Sequence, residues 1–279
     1  MHNCLNQASH TIVGFPGAIE HGSFAAYRAA GINRLSLGAQ SFSDRHLTAL
    51  GRIHDSTEAR AAVTGARAAG FDNINLDLMF ALPEQTLDQA RADLNAAIEL
   101  LPEHISYYQL TLEPNTVFHA RPPALPDQDL AWEMQLQANT TLTTADYANY
   151  EISAWARGGK HCVHNLNYWE FGDYLGFGAG AHAKLTLPDG SIVRERRVAH
   201  PREYLRRAGS DPVAARQRVE PEDLTFEFML NNLRLRAGFT LDQFIARTGL
   251  PAAAAMSGLD SAARRGLIRE SGAGRWRPT

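Results

Sequence analysis

Cysteine is nearly absent from this chain: 279 residues contain two, Cys4 and Cys162. Two thiols cannot build a disulfide framework, and they exclude a zinc knuckle or an iron–sulfur site held by this chain's cysteines alone. A reducing, cytoplasmic setting is the simplest expectation. Lysine is equally scarce, Lys160 and Lys184 being the only two among 27 basic residues. With so much alanine beside it, the arginine excess reads as coding bias rather than phosphate binding. An excess of either sign is missing too: 27 basic residues face 30 acidic ones, a net charge of −3. No overall field draws nucleic acid or anionic lipid, and no nucleic-acid partner is expected. No apolar run reaches the length a membrane span needs, and Met1 to His10 carries no signal-peptide pattern.

What is present is an ordinary globular balance, 44% hydrophobic and 20% charged. Three short segments share a β-forming grammar: Asn33 to Gln40, Asn73 to Phe80 and His104 to Leu112. Helix-like stretches alternate with them. Ser23 to Ala30 and Thr57 to Ala69 each stop at a glycine, and Thr86 to Leu101 repeats apolar residues at helical spacing. Such alternation predicts right-handed βαβ units and a parallel sheet. After Glu113-Pro114 the rhythm breaks at the connector Arg121 to Pro126, and a helix is expected from Asp127 to Thr144. Tyr150 to Ala156 reads as a strand, Tyr174 to Ala183 is glycine-rich, and Ser191 to Arg197 reads as a strand after a turn. From Glu222 the chain turns helical and closes in a hairpin over Leu267 to Trp276. The expected division is therefore residues 1–115, 116–200 and 201–279.

Parallel sheets gather ligands beyond the carboxyl ends of their strands, where loop amides and helix N-termini converge. Those ends bring forward Gln40, Asp77 and Thr111. Any one of them also reads as a loop cap. Asp77 interrupts an apolar strand, and a buried carboxylate needs a partner; Arg52 is one candidate, unless it is simply solvated. A second cluster runs from His161 to Trp169, crowding His161, Cys162, His164, Asn165, Tyr168 and Trp169 outside any clear helix period. It reads either as a packed loop or as a site for a flat aromatic ligand with a metal centre, imidazole or thiolate axial and rings stacked on the macrocycle. The run Gly176 to Gly180 lacks dinucleotide spacing and suits close backbone approach. The arginines from Arg194 to Arg218 read as a solvated face.

Several strings together resemble one family: GINRLSLGAQSF, LGRIHD, NLDLMFALPEQT, HISYYQLTLEPNTVF, YEISAWA, CVHNLNYW and YLGFGAGAHAK. In this order they are similar to the oxygen-independent coproporphyrinogen III oxidase-like radical SAM proteins, in the haem-chaperone (HemW-type) branch. The resemblance covers the chain from about Ala18 onward. It implies an α/β fold with a partial (β/α)6 barrel, then a small mixed α+β region and a C-terminal winged-helix-like domain. It implies S-adenosylmethionine at Gln40, Arg52, Asp77 and Thr111. Haem would be held at His164, Asn165, Tyr168 and Trp169, with His164 as iron ligand and Cys162, His161 and His182 as rivals. Haem-receiving proteins are implied partners.

The departures are as informative. The family's Cys-x-x-x-Cys-x-x-Cys signature, which holds a [4Fe–4S] cluster, has no counterpart here, nor does its Gly-Gly-Thr-Pro-Ser stretch. Aligning on Pro16-Gly17 puts Val13 where the family's third strand brings a glutamate. These departures lead to the expectation of a barrel without its first strands, inactive alone in radical chemistry, or working as a haem-binding module or beside a separate cluster-bearing chain. Asn33 to Gln40 would then have a bare edge, unless Thr11 to Phe15 pairs with it.

Overall fold

The computed structural model describes residues 9–14, 16, 23–272 and 274–279. Cys4, Phe15 and Gly17 lie outside the described residues. The chain divides into two compact units between Cys162 and Val163.

The first unit runs β1 (Thr11–Gly14), α1 (Ser23–Ala29), β2 (Arg34–Gln40), α2 (Asp44–Ala49), α3 (Ser56–Ala68), β3 (Ile74–Phe80), α4 (Leu87–Glu99), β4 (His104–Gln109), α5 (Val117–Ala120), α6 (Gln128–Thr144), β5 (Ala148–Glu151) and β6 (Ala154–Ala156). Its sheet has the order β1-β2-β3-β4-β6-β5. The first four strands are parallel, as the alternating pattern predicts. Capping boxes start α3 at Asp55 with Glu58, and α4 at Thr86 with Gln89.

Residue alternation divides the sheet sharply. Leu35, Leu37, Ala39, Ile74, Leu76, Leu78, Ile105 and Tyr107 belong to one core with the inner faces of the helices. Those helices present mostly small residues, Ala59, Ala62 and Ala66 on α3 and Ala90 and Ala97 on α4, so their backbones lie close on the sheet. The alternate positions carry Arg34, Ser36, Asn75, Asp77, His104 and Ser106. Gln40 and Asp77, two of the candidate site residues, belong to this polar face.

β6 pairs antiparallel with β4 and β5 with β6, which keeps the chain up to Cys162 in the first sheet. One expectation changes here. Tyr150 to Ala156 is not one strand; a turn at Ile152-Ser153 breaks it into the β5–β6 pair. At the edge of β2 the alternative left open is the one realised: β1 pairs with it in register from Thr11↔Arg34 to Gly14↔Leu37.

The second unit contains α7 (Val163–Trp169), β7 (His182–Thr186), β8 (Ile192–Arg197), α8 (Pro201–Arg207), β9 (Val213–Arg218), α9 (Pro221–Asn232), β10 (Phe239–Thr240), α10 (Leu241–Thr248), α11 (Ala253–Arg264), β11 (Ile268–Glu270) and β12 (Arg275–Pro278). Strands β7-β8-β9 form one antiparallel sheet and β10-β12-β11 another. Phe228 organises the core, with Phe171, Phe239 and Phe244 edge-on to its ring at 5.9, 5.1 and 5.2 Å. The segment expected to escape helical order is a helix, α7. Its crowded polar and aromatic residues hide the period, yet His164 and Tyr168 are an i,i+4 pair in contact.

Candidate functional site

Gln40 ends β2 in a left-handed conformation, φ 67°, and is buried. A bulge between Leu37 and Gln40 places it opposite Leu78, beside Asp77 on the next strand. Its side chain makes no hydrogen bond among the described residues. Ala81 (φ 55°), Glu84 (φ 55°) and Asn115 (φ 66°) share that conformation, all in segments that follow β3 and β4. Left-handed backbone costs a non-glycine residue roughly 1 kcal/mol or more, so strain is concentrated at the carboxyl rim of the sheet.

Asp93 of α4 holds the loop that leaves Gln40. Its carboxylate accepts from Phe42 N at 2.7 Å, from Ser41 Oγ at 2.8 Å and from Gln85 Nε2 at 3.3 Å. Burial pushes its pKa up to about 6 against those hydrogen bonds.

Asp77 lies within β3 rather than at its end. Its partner is not Arg52, as one reading of the sequence had it. Oδ2 accepts from Ser36 Oγ at 2.9 Å and Oδ1 from Asn75 Nδ2 at 2.8 Å, and the cation that bears on it is Arg34. Burial raises its pKa and these donors oppose the rise. Arg52 is half-buried in the turn after α2, its amide bonded to Leu47 O. Thr111 is exposed beyond β4 and donates to Glu113 Oε1 at 2.9 Å, so it does not join the Asp77 cluster.

The cluster extends through residues that strand-end reading misses. His104 Nδ1 is 2.6 Å from Asn75 Oδ1, and its Nε2 is 2.8 Å from the Tyr150 hydroxyl. Tyr150 also receives the Cys162 amide at 3.2 Å and stacks on His161 at 4.3 Å. Burial holds the His104 pKa well below its usual value, so the ring is neutral. The available signal was a polar residue at every second position of three neighbouring strands.

In the second unit α7 carries the His164 cluster. His164 is exposed and makes no hydrogen bond among the described residues; its ring stands edge-on to Tyr168, at 4.7 Å and 90°. Tyr168 packs on Tyr174 at 4.4 Å. Trp169 lies beneath the Arg234 guanidinium at 4.2 Å, and Asn165 is half-buried. A cleft of about 170 Å³ adjoins these rings, lined by Tyr168, Trp169, Tyr174, Lys184 and Arg194 among others. Lys184 is buried, donating to Phe171 O and Asp173 Oδ1, both at 3.0 Å. Burial lowers its pKa and Asp173 opposes the fall. Of the rival iron ligands, Cys162 is buried and His161 lies against Tyr150, both in the first unit. His182 is exposed opposite Arg196. Gly176 serves close approach as expected: a Cβ there would come within 2.0 Å of His182 O.

A [4Fe–4S] cluster does not fit these residues. It needs three thiolates from the chain and this sequence holds two cysteines; among the described residues no three His, Cys, Asp or Glu side chains gather into a metal site. No helix among the described residues is long and apolar enough to cross a membrane.

Comparison with known proteins places these features in context. The HemN C-terminal domain family matches residues 219–279. The chain is 46% identical over 263 residues to a haem chaperone HemW of Escherichia coli, covering 94% of this chain and 69% of that protein. It is 47% identical over 261 residues to a haem chaperone HemW of Haemophilus influenzae, covering 94% and 67%. Among solved structures, coproporphyrinogen III oxidase (HemN) of Escherichia coli, described as a radical SAM enzyme, superposes with a TM-score of 0.78 at 20% identity. That superposition covers 98% of this chain and 66% of the other. The chain thus spans about two thirds of the length of each of these proteins.

Proposed function

Since the chain belongs to the HemW-type haem-chaperone branch of the coproporphyrinogen III oxidase-like radical SAM proteins, we propose that it binds haem through His164 in the second unit and an adenosyl ligand at the Gln40–Asp77 rim of the first. The observation that carries the haem reading is the exposed His164 imidazole, free of hydrogen bonds and packed edge-on to Tyr168. A neutral imidazole is an axial ligand for haem iron, and the Tyr168 and Trp169 rings supply aromatic surface for a macrocycle. Hemin titrated into the purified chain is expected to give a one-to-one Soret band. His164→Ala should shift that band or weaken binding by at least about tenfold, the loss of one good ligand interaction. Cys162→Ser should leave it unchanged. A His164→Ala titration that overlays the parent's rejects the assignment.

For the first unit, S-adenosylmethionine suits the free amide of Gln40 and the carboxylate of Asp77, which can accept from ribose hydroxyls. The parallel β1–β4 sheet supports the reading of a partial radical SAM barrel, and the order α9-β10-α10-α11-β11-β12 supports that of a winged-helix-like domain. The reductive chemistry that the family's cluster supplies is outside the reach of these residues. After anaerobic reconstitution with iron and sulfide, the chain alone is expected to hold less than one cluster per chain and to release no 5′-deoxyadenosine with dithionite. Recipient proteins for haem are the partners this reading expects.

A further inference from the structure

Asp77 is held by a chain of hydrogen bonds whose direction is set at the carboxylate. Asn75 turns Nδ2 to Asp77 Oδ1, at 2.8 Å, and to Ser36 Oγ, at 2.7 Å. Flipped, it would set an amide oxygen against a carboxylate oxygen. Asn75 Oδ1 is left to accept, from Ser106 Oγ at 3.1 Å and from His104 Nδ1, which therefore carries the ring proton. On the neutral ring Nε2 accepts, and the Tyr150 O–H donates to it while the Tyr150 oxygen receives the Cys162 N–H.

The register makes this one row of the sheet: Ser36 is opposite Asn75, and Asn75 opposite His104. Asn75, His104 and Ser106 are buried, so water does not substitute for a missing member.

We propose that His104 and Tyr150 are positioning residues for Asp77, setting the Asn75 amide so that the carboxylate stays oriented with lone pairs available to the two hydroxyls of an adenosyl ribose. The inference rests on the adenosyl reading of the rim. Every link has a directional reason, beginning at a carboxylate oxygen that Asn75 meets with its Nδ2 donor.

Two measurements test it on the full chain. Binding of S-adenosylhomocysteine, which needs no cluster, is followed by calorimetry. The tautomer of His104 is followed by nitrogen-15 spectra of histidine-labelled protein. His104→Gln keeps a group facing Tyr150 but loses the donor to Asn75, and is expected to weaken binding about tenfold, the worth of one buried hydrogen bond. His104→Asn presents an N–H where Nδ1 lay and should restore binding to near the parent's. Tyr150→Phe should keep the fold and weaken binding, and the parent should show His104 as the single Nδ1–H tautomer. If the parent binds and His104→Gln binds equally well, the inference fails and the adenosyl reading stands. If the parent does not bind, the adenosyl reading fails, and with it the role toward ribose. The directional chain is then judged by the tautomer alone: an Nε2–H ring in the parent overturns it too.

Discussion

Gly238→Ala is expected to unfold much of the second unit, at a cost of about 4 kcal/mol, because two separate penalties fall on one methyl group. The residue sits at φ 62°, where an L side chain is strained. A Cβ there would lie 1.8 Å from Trp276 O and 2.7 Å from the Arg277 Cα. Both obstacles are backbone of β12, so no side chain can swing aside. That strand is the middle of the β10-β12-β11 sheet, and Trp276 belongs to the core around Phe228. Thermal unfolding followed by tryptophan fluorescence should show a transition lowered by roughly 15 °C, at a few degrees per kcal/mol for a unit of this size. An unshifted transition would mean that β10 and β12 are not packed as described.

The second large effect concerns Asp93, which secures the strained loop after Gln40. Asp93→Ala removes the acceptor from the Ser41 hydroxyl, the Phe42 amide and the Gln85 side chain together. Leaving buried donors unpaired is expected to cost about 3 kcal/mol in unfolding free energy. The native carboxylate also leaves a pH signature. Its folded pKa is raised from 3.8 to about 6, so the folded chain keeps a proton that the unfolded chain has already lost. The stability it contributes is greatest below about pH 4 and declines as pH rises through about 6, by about 3 kcal/mol in all. Denaturant titrations between pH 4 and 7 should show that decline in the parent and lack it in Asp93→Asn. A parent and variant with the same slope would refute the assignment.

How far the sequence reveals this arrangement depends on the period of each segment. The parallel strands of the first unit stand out because apolar runs and alanine-rich helices alternate, and Gln40 follows from reading strand ends alone. Asp77 is visible as a polar intruder, but its partners are not. Ser36 and Asn75 are small polar residues that read as caps, and only the register across β2 and β3 brings them to the carboxylate. His104 begins its strand and Tyr150 lies 46 residues further on, so nothing local announces that they touch. The β5–β6 pair is missed for a related reason, since a two-residue turn inside a short apolar stretch leaves no glycine or proline to mark it. His164 is conspicuous by composition, while its helix is concealed by the crowding that makes it conspicuous.

The scarcity of lysine has a practical consequence at the seam between the units. Lys184 is buried in β7 with its ammonium engaged. Lys160 is exposed, follows two glycines with positive φ, and precedes the seam by two residues. A lysine-specific endoprotease acting on the folded chain should therefore nick it once, since cleavage requires an exposed, locally yielding backbone. The products would be residues 1–160 and 161–279, each close to one complete unit. Whether they part or stay together on a sizing column tests whether the two units associate, with no mutation introduced.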